Sequence, residues 1–356
     1  NLSSDQQAVR NMNVALAASG DLEDDMNKVI DALSENGFNS KKALIPVSRD
    51  YEFMYSKAND CIVLVNAEDP NNKVVVYPED ITYDAADLES LENSVKYLNA
   101  EVKDAAGLVE AIANGQMEIK LEADVEMASA LNIAADAEIN IDLNGKTLKT
   151  GERDNYGAHH YALDVYGTVT VKNGTIEARG IQIFGNGKVI IEDGATVNAI
   201  DNNGGYCVWI HSGELVIDGG TFNAVNGARD DVTYEPSIIG NEGGKVTINA
   251  GTFKTVGNAY AVNNYAGELV INGGTFTASR GVIAANEGTA TINDGTFTVA
   301  EGGDAYVIYT YDGNVTINGG TFTNNGTGYD FCVDGEGAGS IKIGDTTLTA
   351  GEHLND

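Results

Sequence analysis

GELVINGGTFTASRGVIAANEGTATINDGTF, residues 267–297, decides the fold. Leu269 and Ile271 share one face of an extended chain and Val270 points the other way, since successive strand side chains alternate. Asn272 and two glycines turn the chain, Thr275-Phe276 open a second short run, and the phrase restarts at Gly288. Val, Ile and Thr dominate, and these residues suit strands. No helical stripe here is long enough for a parallel crossover helix.

Working outward, the phrase Gly-x-apolar-x-apolar recurs at Gly167, Gly187, Gly213, Gly244, Gly267, Gly288, Gly313 and Gly339. Spacings run from 20 to 31 residues, within the range of solenoid repeats. An anchor follows most copies: Ile176, Val197, Phe222, Phe253, Phe276, Phe297 and Phe322. Short strands, tight turns and this period predict coils of about three strands, with equivalent strands stacked in parallel sheets. Stacking puts the phenylalanines into one internal column. Asp218, Asn249, Asn272, Asn293 and Asn318 form a second column, an asparagine ladder able to hydrogen-bond from coil to coil. IDLNGKTL (141–148) and IKLEADV (119–125) extend the array towards the N-terminus. Asp104–Asn114 reads as an amphipathic helix, N-capped by Asp104 with Leu108, Val109 and Ile112 on one side, covering the open end of the core. About ten coils are expected from residue 117 to 350.

The first hundred residues read differently. Residues 4–18 and 24–36 carry helical spacing, while YEFMYS (51–56), CIVLVN (61–66) and KVVVYP (73–78) read as strands. The fold expected is therefore a small α+β domain over 1–83, a helical connector over 84–103, and an all-β parallel β-helix over 104–356 with its capping helix at 104–114.

Composition narrows the function. A net charge of −32 repels nucleic acid, anionic lipid and polyanionic sugars. The acidic residues are scattered, so no disordered tail is read from them. Cys61, Cys207 and Cys332 lack zinc spacing, and the last two fall five coils apart, about 24 Å at one strand spacing per coil, too far for a disulfide. Both are expected to be buried. No run of 18 apolar residues occurs, and the chain opens on Asn rather than Met, as a mature or trimmed fragment would.

Two resemblances follow from these segments. SSDQQAVRNMNVALAAS, DALSENGFNSKKALIPVS, YEFMYSKANDCIVLVN and VVVYPE together resemble the head of Gram-positive type IV pilins and type II secretion pseudopilins. In that family a hydrophobic N-terminal half-helix anchors the subunit and later packs in a filament. The resemblance implies membrane anchorage or filament assembly through a helix upstream of Asn1. EVKDAAGLVEAIANG leading into IDLNGKTL is similar to the entry of pectate-lyase-like right-handed β-helices, in particular those of bacterial surface proteins. That fold hosts lyases, hydrolases and adhesins alike, so it implies architecture rather than chemistry.

No catalytic set emerges. Of the motifs of polygalacturonase-type hydrolases only a paired Asp is found, Asp230–Asp231, and it lies in a loop. Arg179, Arg229, Arg280 and Arg153 are not visibly ringed by carboxylates, as the base of a pectate lyase would be. Asp154, Asp201, Asp230, Asp231 and Glu235 lie on loops expected to share one edge of the rod. They are oxygen donors of the kind calcium takes, but no calcium-repeat motif supports a metal, and solvated acidic loops explain them as well. His159 and His160 are adjacent and face opposite sides, while His211 stands alone near a turn. No cofactor is expected.

Tyrosines carry the better clue. Tyr206, Tyr260 and Tyr306 precede repeat glycines by seven positions, and Tyr265 and Tyr311 precede them by two, with His211 in the same column. Aligned rings can stack on sugars through their apolar faces, and they can equally strengthen cross-strand pairing. The expectation is an extracellular bacterial surface protein displaying the rod to bind carbohydrate or another surface partner, without catalysis. A carbohydrate-active lyase or hydrolase and a ligand-free spacer are the alternatives.

Overall fold

A computed structural model describes strands at 51–56, 61–66, 73–76 and 96–97, and residues 99–355 apart from 114, 152–159, 178, 200–205, 226–236, 257–258 and 301–304. Contacts divide the chain into two units, Asn1–Ala100 with Ala113–Glu118, and Glu101–Ile112 with Ile119–Asp356. In the first unit, Tyr51–Ser56, Cys61–Asn66 and Lys73–Val76 pair antiparallel in chain order, and Lys96–Tyr97 adds parallel to the first strand. The helices expected at 4–18 and 24–36 lie outside the described residues. The connector expected to be helical over 84–103 instead holds strands at Lys96–Tyr97 and Asn99–Val102. Sheet pairing overrides the local helical spacing there, since each of these segments lies beside a strand that supplies ladder hydrogen bonds.

The second unit is an all-β, β-helix-like solenoid. Its strands form sheets of twelve, nine and ten, and the parallel neighbours within each sheet come from the preceding or following coil. Glu268–Ile271 joins the twelve-stranded sheet, Thr275–Ala278 the nine-stranded and Gly281–Ala285 the ten-stranded, and the chain then returns to the first. Nine coils complete this circuit, a number set by the nine-stranded sheet. Ser340–Ile343 begins a tenth, which ends in the antiparallel strands Thr346–Leu348 and His353–Leu354.

Residues meet their sequence equivalents across the ladders. Ile217, Ile248, Ile271, Ile292 and Ile317 align in the twelve-stranded sheet and are buried, while the intervening Val216, Thr247 and Val270 point out. The expected phenylalanine column forms: centroids from Phe222 through Phe253, Phe276 and Phe297 to Phe322 lie 4.8, 4.4, 4.9 and 5.0 Å apart with nearly parallel planes. Four of the five rings are fully buried. Phe322, at the end of the nine-stranded sheet, is half-buried and meets Phe331 edge-on at 5.0 Å. Two residues before each of the five stacked rings, Gly220, Gly251, Gly274, Gly295 and Gly320 turn the chain with φ between 93° and 136°. That region suits only glycine, and a Cβ on Gly295 would lie 2.9 Å from the Phe297 ring.

The asparagine ladder also forms. Asn249 donates to Asp218 at 2.7 Å, and Asn272, Asn293 and Asn318 each donate to the preceding rung at 2.8 Å. A second, buried ladder at another corner has no signature in the repeat phrase. Asn241 donates to Asn264 at 2.8 Å and to the Gly244 carbonyl, and Thr310 seals the same position further along through the Ala285 and Gly313 carbonyls.

The helix Ala105–Ala113 begins as expected, with the Gly107 amide donating to the Asp104 carboxylate at 2.8 Å. Leu108 and Ala111 are its buried residues, whereas Val109 is 50% exposed and Ile112 half-buried. Residues three apart share the inner stripe here, which excludes the neighbour at i+1. Cys207 is buried in the core and Cys332 is half-exposed on an outward column, so only the first behaves as a core residue; neither forms a disulfide.

Replacing Phe276 by Ala should open a cavity between two stacked rings and cost about 3–5 kcal/mol. Asn272→Ala removes exposed hydrogen bonds and should cost only about 0.5–1.5 kcal/mol. Equilibrium denaturation of both variants checks the ranking.

Candidate functional site: an aromatic face

One face of the solenoid collects the rings. Apart from the Phe222–Phe322 stack and the inward-facing Phe331 beside it, every described Tyr, Trp and Phe of residues 99–355 lies on outward columns of the ten-stranded sheet or at its borders. The nine-stranded sheet turns Thr221, Thr252, Thr275, Thr296 and Thr321 outward, and the twelve-stranded sheet presents Thr, Val, Lys and Glu.

Register divides the aromatic face into three columns. One runs Tyr161, Arg179, Tyr206, Ser237, Tyr260, Gly281, Tyr306. The middle column runs Asp164, Gln182, Trp209, Gly240, Asn263, Ala284, Tyr309, Cys332. The rim column, where each backbone amide donates to the previous coil, runs Tyr166, Phe184, His211, Glu242, Tyr265, Asn286, Tyr311, Asp334. All five expected tyrosines thus fall on one face, Tyr206, Tyr260 and Tyr306 in one column and Tyr265 and Tyr311 in another.

Their exposure separates them. Tyr206 is only 7% exposed, because its ring lies over Gly240 and against Trp209 at 5.3 Å, so it supports the face from beneath. Its hydroxyl reaches that of Tyr265 at 3.4 Å. Tyr260 is half-buried over Gly281, where an added Cβ would come within 2.7 Å of the ring, and the Arg280 guanidinium lies 5.1 Å from its centroid. Tyr306 is half-buried 5.8 Å from Tyr309, and Tyr309 donates to Asp334 at 2.8 Å. Burial, followed by that carboxylate, pushes the Tyr309 hydroxyl well above the usual phenol range. Tyr265 is half-exposed, and Tyr311 is 37% exposed on the rim.

The densest cluster was not foreseen as a cluster. Tyr166, Phe184 and His211 stack on successive coils at 5.0 and 4.6 Å, and Trp209 meets His211 at 4.4 Å. His211, expected to stand alone, places Nδ1 2.7 Å from Glu242 and Nε2 3.3 Å from the Gln182 amide. Glu242 can only accept, so Nδ1 donates to its carboxylate, and the Gln182 amide meets the ring at Nε2 on the other side. Aligning the repeats more fully would have put Gln182 beside the Trp209 column and Glu242 one coil beyond His211; the repeat phrase itself stops short of these positions.

Asp164 shares the outward face with these rings. Its Oδ1 is buried without a hydrogen-bond partner. Burial holds the carboxyl above the ordinary carboxylate range, with His160 and His211 pulling the other way. Beside the rim column a groove follows the coil corners, lined by Gly213, Gly244, Lys245, Gly267, Glu268 and Gly288. These glycines are required by packing: a Cβ on Gly267 would collide with the Asn241 amide and the Gly244 carbonyl.

Asp154, Asp201, Asp230, Asp231 and Glu235 lie outside the described residues, as do His159, Arg153 and Arg229. The strands that flank the three segments carrying these acids belong to the nine-stranded sheet on the N-terminal side and to the ten-stranded sheet on the C-terminal side. Among the described residues no group of three or more His, Cys, Asp or Glu side chains is gathered as a metal site, and no helix is long and apolar enough to cross a membrane. Comparison with known proteins returns no matching family model, no similar curated protein and no similar solved structure.

A carboxyl whose pKa is raised in the fold carries no penalty while both folded and unfolded forms are protonated, and an increasing one as pH climbs past the unfolded value. Asp164→Asn should therefore raise Tm by about 1–3 °C at neutral pH, and the gain should vanish below the usual carboxylate range. Thermal melts across that interval test the sign.

Proposed function

We propose that this chain is a non-catalytic, carbohydrate-binding surface protein of a bacterium, whose right-handed β-helix presents the aromatic face to glycans. The confinement of outward rings to one of three sheets carries the reading. Cross-strand pairing alone gives no reason to favour one sheet, since all three are built of equivalent parallel strands. Sugar rings offer C–H faces that stack on Tyr and Trp, while Asn263, Asn286, Gln182 and the tyrosine hydroxyls supply the polar contacts such a site needs. A net charge of −32 disfavours polyanionic glycans and leaves uncharged ones as the ligand class. The pilin-like head over residues 1–83 supplies anchorage or filament assembly at the cell surface in this proposal, and multivalent display compensates for a shallow site.

A catalytic reading has one observation in its favour, the raised Asp164 carboxyl next to a ring-lined surface, since glycoside hydrolysis uses such an acid. It requires a second carboxylate across the substrate. Glu242, the nearest in the cluster by register, is engaged by His211.

A panel of uncharged glycans should show binding without turnover, and Tyr265→Ala and Tyr311→Ala should each weaken it about five- to ten-fold. Release of reducing or unsaturated sugars, abolished by Asp164→Asn, would transfer the chain to the enzymes.

A further inference from the structure

The aromatic face has a period of two coils, twice that of the solenoid. Numbering coils from Glu118–Leu121, the second, fourth, sixth and eighth place Tyr161, Asp164 and Tyr166; Tyr206, Trp209 and His211; Tyr260, Asn263 and Tyr265; and Tyr306, Tyr309 and Tyr311 on the three columns. The third, fifth and seventh place Arg179, Gln182 and Phe184; Ser237, Gly240 and Glu242; and Gly281, Ala284 and Asn286. Phe184 and Tyr329 are the only described rings of this face outside the even coils.

The glycines and alanine of the odd coils explain the alternation physically. Tyr206 lies over Gly240, and Tyr260 over Gly281, so the fourth and sixth coils drape these rings onto small residues of the next coil. The result is a ribbed surface. Ring-bearing ribs are separated by two strand spacings, about 10 Å, and the rim column from Tyr166 to Tyr311 spans six, about 29 Å.

We infer that these ribs are registered to an uncharged, extended β-1,4-linked pyranose chain lying along the solenoid axis, with every second sugar over a rib. This inference rests on the carbohydrate reading above and specifies its ligand. In such a chain successive sugars are flipped, so residues n and n+2 present the same face, and that disaccharide repeat is close to the separation of the ribs. The groove beside the rim follows the same axis past four successive coil corners at Gly213, Gly244, Gly267 and Gly288. Sugars in the two later gaps lie over Gly240, Glu242, Ala284 and Asn286, where no ring obstructs them and polar groups are present, while in the first gap Phe184 adds a further stacking ring between Tyr166 and His211. An α-1,4-linked chain curves and loses register after one rib. The carboxylates Asp164, Glu242 and Asp334 on this face oppose uronates and sulfated sugars.

Calorimetric titration with cello- and chito-oligosaccharides of two, four, six and eight residues tests the register, with malto-oligosaccharides of equal length as the geometric control. Affinity should rise with each added disaccharide through the octamer, because one sugar over each of the four ribs with one between each pair makes seven. Malto-oligosaccharides should bind at least ten-fold more weakly at the hexamer. Tyr311→Ala and Tyr265→Ala should each weaken the β-linked hexamer about five- to ten-fold, with Thr277→Ala on the nine-stranded sheet as the unchanged control and circular dichroism confirming the fold of each. Equal affinity for α- and β-linked chains, or affinity independent of length, overturns the register while leaving carbohydrate binding in place. Absence of binding to every chain of both linkages removes both readings.

Discussion

Parallel stacking of each strand on its counterpart in the next coil is the constraint on which everything else depends. It satisfies the backbone groups of three sheets and aligns side chains into columns, inward and outward alike. Inward, alignment yields the Phe222–Phe322 stack and the isoleucine column beside it. Outward, the same alignment makes any residue preference at one repeat position a linear feature of the surface. Corner glycines hold the register, since neighbouring coils approach too closely there for a Cβ.

Identical columns normally give a uniform surface, and the threonine face of the nine-stranded sheet is such a surface. The ten-stranded sheet departs from uniformity in a regular way. From the fourth coil to the eighth, coils bearing large rings alternate with coils bearing none, and packing favours the alternation there, because Tyr260 needs the space above Gly281 and Tyr206 the space above Gly240. Packing can explain why a ring is followed by a glycine. It gives no reason for the outward rings among the described residues to gather on this face and not on the other two, which is why the face is assigned a ligand.

Much of the architecture was legible in the sequence, because period-two alternation recurs along the array and the Gly-Thr-Phe phrase repeats in five successive coils. The asparagine ladder was legible for the same reason: Asn272 and Asn293 stand at fixed offsets from their glycines. Several features were hidden. Asn241 and Asn264 are buried through pairing with each other, and hydrophobicity patterns cannot anticipate a polar core residue. Lys96–Tyr97 pairs with Met54–Tyr55, a contact of long sequence separation that overrides the helical spacing around it. The five site tyrosines were found by counting from glycines, but counting does not reveal that Tyr206 is covered while Tyr311 is open. His211 looked isolated because its partners, Gln182 and Glu242, come from the neighbouring coils 29 and 31 residues away.

The sequence contains a single tryptophan, and Trp209 sits half-buried in the middle column of the proposed track, against Tyr206 and His211. Its emission therefore reports on this face alone. Titrating the protein with a β-1,4-linked hexasaccharide should shift or quench that emission saturably, at the same midpoint as the heat of binding. Calorimetric binding of the sugar with Trp209 emission unchanged would put the ligand elsewhere on the molecule and contradict the assignment of the aromatic face.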